Sequence, residues 1–278
     1  MRGVSPWQVA WAFLRRDAAE AASSRLRFLV YALGLGSLLL TFASLARFVG
    51  NPVGQGGAAE ALAPTGAAGI LGFWLVGLAV GELFRRTATG LARKVREAQL
   101  EGTLEAILGT PAPAAWIVLS TPLYEILAGA VEAILLVGAG AAFFAVPLRP
   151  DAGGLAAATV LSLLAFGSLG LLGGALTMSL RRTDPVTALL GVAGVLVGGV
   201  LFPVTELPGV LRVAASAFPL APSLDAFRLS LFAGAGAGAL TAPLVALAAF
   251  TAVCGPAAAL LFAWALRRAR VQGSLGQY

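Results

Sequence analysis

Carboxylates are scarce in this sequence, so their placement is the first guide to its chemistry. Of 278 residues, 13 are Asp or Glu against 19 Lys or Arg. Glu97, Glu101 and Glu105 recur every fourth residue around the stretch "EGTLEAILGTP", and Glu125 and Glu132 stand seven apart in an otherwise uncharged run. A spacing of four puts carboxylates on one face of a helix, where they repel mildly. A cation outside the helix is therefore expected to answer them: Arg93, Lys94 and Arg96 locally, or the basic surface of a partner. A solvated loop helix is the plainer alternative. A charge at mid-bilayer costs about 2.5–3.5 kcal/mol, so Glu125 and Glu132 are expected to face protein or an aqueous cavity. They either line a transport path, favouring cationic or amphipathic substrates, or are protonated or hydrogen-bonded to Ser, Thr or Tyr of neighbouring helices. Glu125 lies nearer the inner end, and Glu82 is expected at the interface beside Arg85 and Arg86.

Other chemistries are excluded by composition. Without histidine there is no Ser/His/Asp triad, no imidazole metal site and no His proton shuttle. The single cysteine, Cys254, removes disulfide frameworks and thiolate clusters and reads as a small buried hydrophobe. The one lysine, Lys94, is not preceded by a G-x-x-x-x-G-K loop, so the chain has no P-loop for ATP phosphates. No catalytic residue, metal or bound cofactor is expected on this chain.

The elements that must hold these carboxylates are membrane helices. A mean hydropathy of +0.89, with 59% hydrophobic and 12% charged residues, lies outside the range of soluble domains. The apolar runs are continuous, which favours an all-α bundle over a β-barrel. One domain, 1–278, is expected, with six spans near 28–46, 66–84, 114–146, 155–180, 186–205 and 243–266. Before them, Trp7, Trp11, Leu14 and Ala18 at i, i+4, i+7 and i+11 predict an interfacial amphipathic helix within 1–27, not a cleaved signal peptide. With a cytoplasmic N-terminus, fifteen basic residues fall inside, and four (Arg47, Arg149, Arg212, Arg228) fall outside. That asymmetry puts both termini in the cytoplasm of a multi-pass inner (plasma) membrane protein. The basic charge then reads as topology and contact with membrane lipids, with no nucleic acid partner.

In this arrangement a helix near 97–110 lies in the largest inward loop. Its Leu100, Leu104, Ile107 and Leu108 form one apolar stripe, and Pro111 and Pro113 end it. On the outer side, Pro203, Pro208, Pro219 and Pro222 interrupt any continuous helix although the surroundings stay apolar. Broken backbone at membrane depth needs protein or a water-filled cavity around it. Short re-entrant helices over about 203–232 are therefore predicted, with Ser223 as N-cap of the last and Asp225 paired to Arg228.

"REAQLEGTLEAILGTP" resembles the inward-loop pattern of ATP-binding-cassette type-2 permeases, E-x-x-x-G-T-L-E-x-L-L-x-T-P. The matching positions are Glu97, Gly102, Thr103, Leu104, Glu105, Leu108, Thr110 and Pro111, with Ile107 in place of a common Leu. "GGVLFPVTELPGVLRVAASAFPLAPSLDAFR" is similar to the family's stretch between spans five and six, with Phe218-Pro219-Leu220 where Asn-Pro-Leu is usual. The resemblance implies a coupling helix that docks in a groove of a separate P-loop ATPase, helped by Glu101 and by Arg181 and Asp184 of the next inward loop. ATP and Mg would be held by that partner, present in two copies. It implies an outer gate at Phe202, Pro203, Pro208, Pro219, Asp225 and Arg228, and pairing with a second permease, as a homodimer or with a related chain. The implied function is export of a hydrophobic or amphipathic substrate (drug, lipid or glycan-lipid) by alternating access. The alternative from the residues is a proton-coupled secondary transporter using Glu132. An intramembrane enzyme lacks its nucleophile–base pair.

Overall fold

The computed structural model describes residues 5–23, 25–49, 67–110, 113–144, 146–180, 194, 198–233 and 237–271. Among them there is helix and turn, and no strand. Helix α1 (Pro6–Ser23) opens with a capping box: Ser5 and Gln8 exchange backbone-to-side-chain hydrogen bonds. Trp7 is 84% and Trp11 64% exposed, as an interfacial anchor requires. Helix α2 (Arg25–Val49) leads to α3 (Ala67–Leu100), whose 34 residues reach about 51 Å at 1.5 Å per residue. That exceeds a hydrocarbon core of roughly 30 Å. The helix therefore continues well past the expected second span into the charged segment that follows it.

The helix expected over 97–110 is divided. Glu97 belongs to the last turn of α3, and Gly102, at φ 68°, closes that turn. The Thr103 N–H reaches back to the Ala98 carbonyl at 3.0 Å and the Gly102 N–H to Gln99 at 3.1 Å, a Schellman cap. Only the five-residue α4 (Leu104–Leu108) follows. Glu97 and Glu105 therefore lie on different helices, and Leu100, 67% exposed, does not share a stripe with the buried Leu104. A left-handed glycine cap stops a helix more effectively than apolar periodicity extends it.

Helices α5 (Ala114–Ser120) and α6 (Leu123–Phe144) meet at the Thr121–Pro122 turn within one apolar stretch. Helix α7 (Ala152–Leu180) starts at Asp151, whose carboxylate accepts from the Gly153 and Gly154 N–H groups, both at 3.1 Å. A 3₁₀ turn (Val204–Glu206), α8 (Gly209–Ala217), α9 (Leu220–Arg228) and a π turn (Leu229–Ala233) precede α10 (Ala237–Val271). Three stretches are long and apolar enough to cross a membrane: 115–144, 152–179 and 238–269. The bent pair α8–α9, turning by 79°, could add a fourth. Expected span five, 186–205, lies mostly outside the described residues, as do Pro111, Arg181 and Asp184.

Helix α3 is the packing centre, touching α2, α6, α7 and α9. Its Phe84 meets Phe166 of α7 and Phe218 of the re-entrant segment edge-on, with centroids 5.0 and 5.3 Å apart. Such pairs add roughly 0.5–1.5 kcal/mol beyond the area they bury.

Candidate functional site

At the C-terminal end of α3, the following turn and short helix present Glu101, Gly102, Thr103, Gly109 and Thr110 to solvent, while Leu104 is buried as the anchor. The Thr110 hydroxyl donates to the Ile107 carbonyl at 2.8 Å and closes the segment. Nothing is described of the Glu105 and Leu108 side chains. Behind the segment lies a cavity of about 200 Å³, bordered by Phe13 of α1, Leu91 and Lys94 of α3, Leu104, Ile107, and Phe262 of α10. Lys94 is the local answer to the acidic face. Its Nζ lies 3.3 Å from Glu97, 3.7 Å from the buried Asp17 and 4.0 Å from Glu20. Helix α1 is thereby tied to the last turns of α3, just before that segment.

About two turns toward the membrane, the expected solitary carboxylates are salt-bridged. Arg86 stands among three of them: Glu82 at 2.8 Å, Glu125 at 3.2 Å and Glu132 at 3.0 Å. Arg93 adds a 2.6 Å bridge to Glu125, and Arg85 holds Glu82. Hydrogen bonding to Ser, Thr or Tyr, one expectation from the sequence, is replaced by arginine pairing from α3. The physical reason is that two buried carboxylates, 6% and 7% exposed, need countercharge more than neutral donors. Glu132 also borders a cavity of about 190 Å³ between α2, α3, α6 and α9, together with Glu82 and Arg85. Leu38, Leu78, Leu136 and Leu220 supply its apolar wall. Glu125 is not part of that lining. The sequence set Arg86 beside Glu82, as the structure has it, but its reach to Glu125 and Glu132 was not read because Arg86 was counted with the basic loop. The available signal was its place four residues after Glu82, opposite two carboxylates that burial would otherwise leave uncompensated.

At the other end of α3 three of the four predicted breaks fall at the prolines; Pro222 instead lies buried in the first turn of α9, where its missing N–H has no intrahelical acceptor to lose. Pro203, Pro208 and Pro219 stand at the N-caps of the 3₁₀ turn, α8 and α9, where a missing N–H costs nothing. Phe202 is 37% exposed beside them. Ser223 is no cap. It is buried inside α9, its hydroxyl 2.6 Å from that of Ser162 on α7. Asp225 points to solvent and forms no bridge with Arg228 among the described residues. Arg228 turns instead to α3 and the chain before the re-entrant helices. Its Nη2 donates to the carbonyls of Gly199 at 3.0 Å, Phe73 at 3.2 Å and Val200 at 3.4 Å, with the guanidinium 3.4 Å above the Phe73 ring. Trp74 Nε1 donates to the Leu201 carbonyl at 2.8 Å. Backbone approaches this closely because Gly77 has no side chain: a Cβ there would lie 2.3 Å from the Val200 oxygen.

A short capped helix at one end of a long helix and a bent helix pair broken at prolines at the other are the two features the sequence patterns had paired. Residues 95–232, which contain both, match the family model described as ABC-2 type transporter. The chain belongs to the ABC-2 type transporter family. Among curated proteins none matches the chain. As an ABC-2 type transporter chain it is a multi-pass membrane component of an ABC transporter, and in this family such a subunit is not itself the ATPase but works with one. The matched region includes Glu97 to Thr110, both buried carboxylates of α6, and Arg228; Arg86 and the Trp74–Gly77 contacts of α3 precede it.

Proposed function

We propose that this chain is the permease half of an ATP-driven exporter, and that a separate ATPase docks on Glu101, Gly102, Thr103, Leu104, Glu105, Leu108 and Thr110. Glu97 and the loop with Arg181 and Asp184 would lie at the margin of that contact. The observation that carries this reading is the five-residue helix flanked by the exposed Glu101, Gly102, Thr103, Gly109 and Thr110, capped off from α3 by a left-handed glycine and anchored by the buried Leu104. A short exposed helix on a long rod receives a push without unfolding. Closure of the ATPase pair would move α3, and the outer segment at Phe202, Pro203, Pro208, Pro219, Asp225 and Arg228 would open toward the exterior. A hydrophobic or amphipathic substrate suits the 190 Å³ cavity, whose leucine wall meets a polar corner at Glu82, Arg85 and Glu132. Two copies of this chain with two ATPases would complete the path, with both termini cytoplasmic. A proton carrier using Glu132 is the second reading: its buried Oε2 accepts no hydrogen bond among the described residues, although the Arg86 guanidinium stands 3.0 Å away as a countercharge.

The test is co-purification with the cognate ATPase. Glu101→Arg/Glu105→Arg is expected to abolish the complex and ATP-dependent transport while the chain still inserts and folds. Unchanged assembly and transport would remove the docking assignment.

A further inference from the structure

A groove of about 420 Å³ runs between α5, α7 and α10. Val118 and Leu119 of α5, Leu171 of α7, and Phe262 and Leu266 of α10 form its walls, and Arg267 is the one charged residue on it. Its position on α10 sets a scale. Ala259 and Arg267, both at its edge, are eight residues apart, so the groove extends about 12 Å along the helix axis. That is close to half of a hydrocarbon core of roughly 30 Å.

The charged end is marked as headgroup level by its neighbours. Trp264 is half exposed, with the Arg268 guanidinium 5.2 Å above its ring. An aromatic ring with an arginine is the usual furniture of a membrane interface. The sequence contains no Asp or Glu after Asp225, and among the described residues no carboxylate pairs with Arg267. Apolar length of one leaflet below an arginine without a protein counter-ion complements one kind of molecule.

We propose that this groove binds an anionic phospholipid, with an acyl chain along Leu119, Leu171 and Phe262 and the phosphate at Arg267. The occupant comes from the leaflet on the docking-segment side, because α5 begins directly after that segment. A lipid wedged against α5 would make the movement of the docking segment depend on headgroup charge. That consequence rests on the docking reading above; the binding site itself does not.

The experiment is therefore one that needs no ATPase. Purified, delipidated chain is titrated with phosphatidylglycerol or with phosphatidylcholine of identical acyl chains, and bound lipid is counted by native mass spectrometry. Phosphatidylglycerol is expected to bind about fivefold more tightly at one site, the factor for one basic residue at an anionic surface. Arg267→Gln should bring that site down to the phosphatidylcholine level. Ala263→Trp, which fills the groove, should remove binding of both lipids at it. Equal affinity for the two lipids, or a phosphatidylglycerol site undiminished in Arg267→Gln, would overturn the proposal. Arg267 is exposed at a helix end, so that variant decides the matter even if the tryptophan variant fails to fold.

Discussion

Arg86 and Arg228 both fasten α3, Arg86 toward the end that carries α4 (the inner joint in the proposed orientation) and Arg228 toward the far end (the outer joint), and they do it with different partners. Arg86 binds carboxylates: Glu82 on its own helix, Glu125 and Glu132 on α6. Arg228 reaches from α9 to three backbone carbonyls and a phenyl ring. At the inner joint three arginines (85, 86, 93) share three carboxylates, Glu82, Glu125 and Glu132. At the outer joint the acceptors are fixed main chain, and Gly77 lets the two backbones touch. The inner joint rests on shared charges, the outer one on main-chain contact. In the docking reading proposed above, α3 is the element that connects a push on that segment to the far joint, since it packs against α2, α6, α7 and α9.

The largest effect should follow from emptying the inner joint. Arg86→Met leaves Glu132 buried without its partner, and removing one member of a buried pair costs about 3–5 kcal/mol. A sharply lowered thermal midpoint in detergent is expected, and Arg86→Met/Glu132→Gln should restore much of it. If the single variant melts like the parent, Arg86 is not the hub. At the outer joint, Arg228→Met strands carbonyl groups at about 1–3 kcal/mol. Its signature should be faster hydrogen exchange in residues 198–233, with the α3–α6 contact unaffected. Uniform loss of protection across both ends would mean that the joints are not separable.

Gly77→Ala pushes a methyl into the Val200 carbonyl and should cost about 1–3 kcal/mol through overpacking. Gly81→Ala is its control, because a Cβ there meets Val200 only at 3.5 Å. Gly102→Ala should be smaller, about 1–2 kcal/mol for an alanine at positive φ. It would show as weaker binding of the ATPase with the α3 joints intact.

The legibility of these regions in the sequence differs for a physical reason. Proline announces its own effect, so the breaks at Pro203, Pro208 and Pro219 were readable from single residues. The docking segment was readable as a motif, but its helix was drawn too long because the apolar period was weighed above Gly102, a C-cap signal in plain view. The partners of Arg86 come from a helix some forty residues away, and only the cost of burying Glu125 and Glu132 pointed to such a residue. The partners of Arg228 are carbonyls, which every residue has, so no sequence pattern could distinguish them from the i+3 carboxylate of Asp225.

The central claim is that force enters at the short helix after α3, and disulfide trapping reads that contact directly. With Cys254 replaced by Ser, the chain has no other thiol. Ala106→Cys, on the exposed side of α4, is then combined with single cysteines along the groove of the cognate ATPase. The account predicts a cross-link at one register that forms in the assembled complex and blocks ATP-driven transport until it is reduced. An active complex that never cross-links through position 106, at any register of that groove, would contradict it.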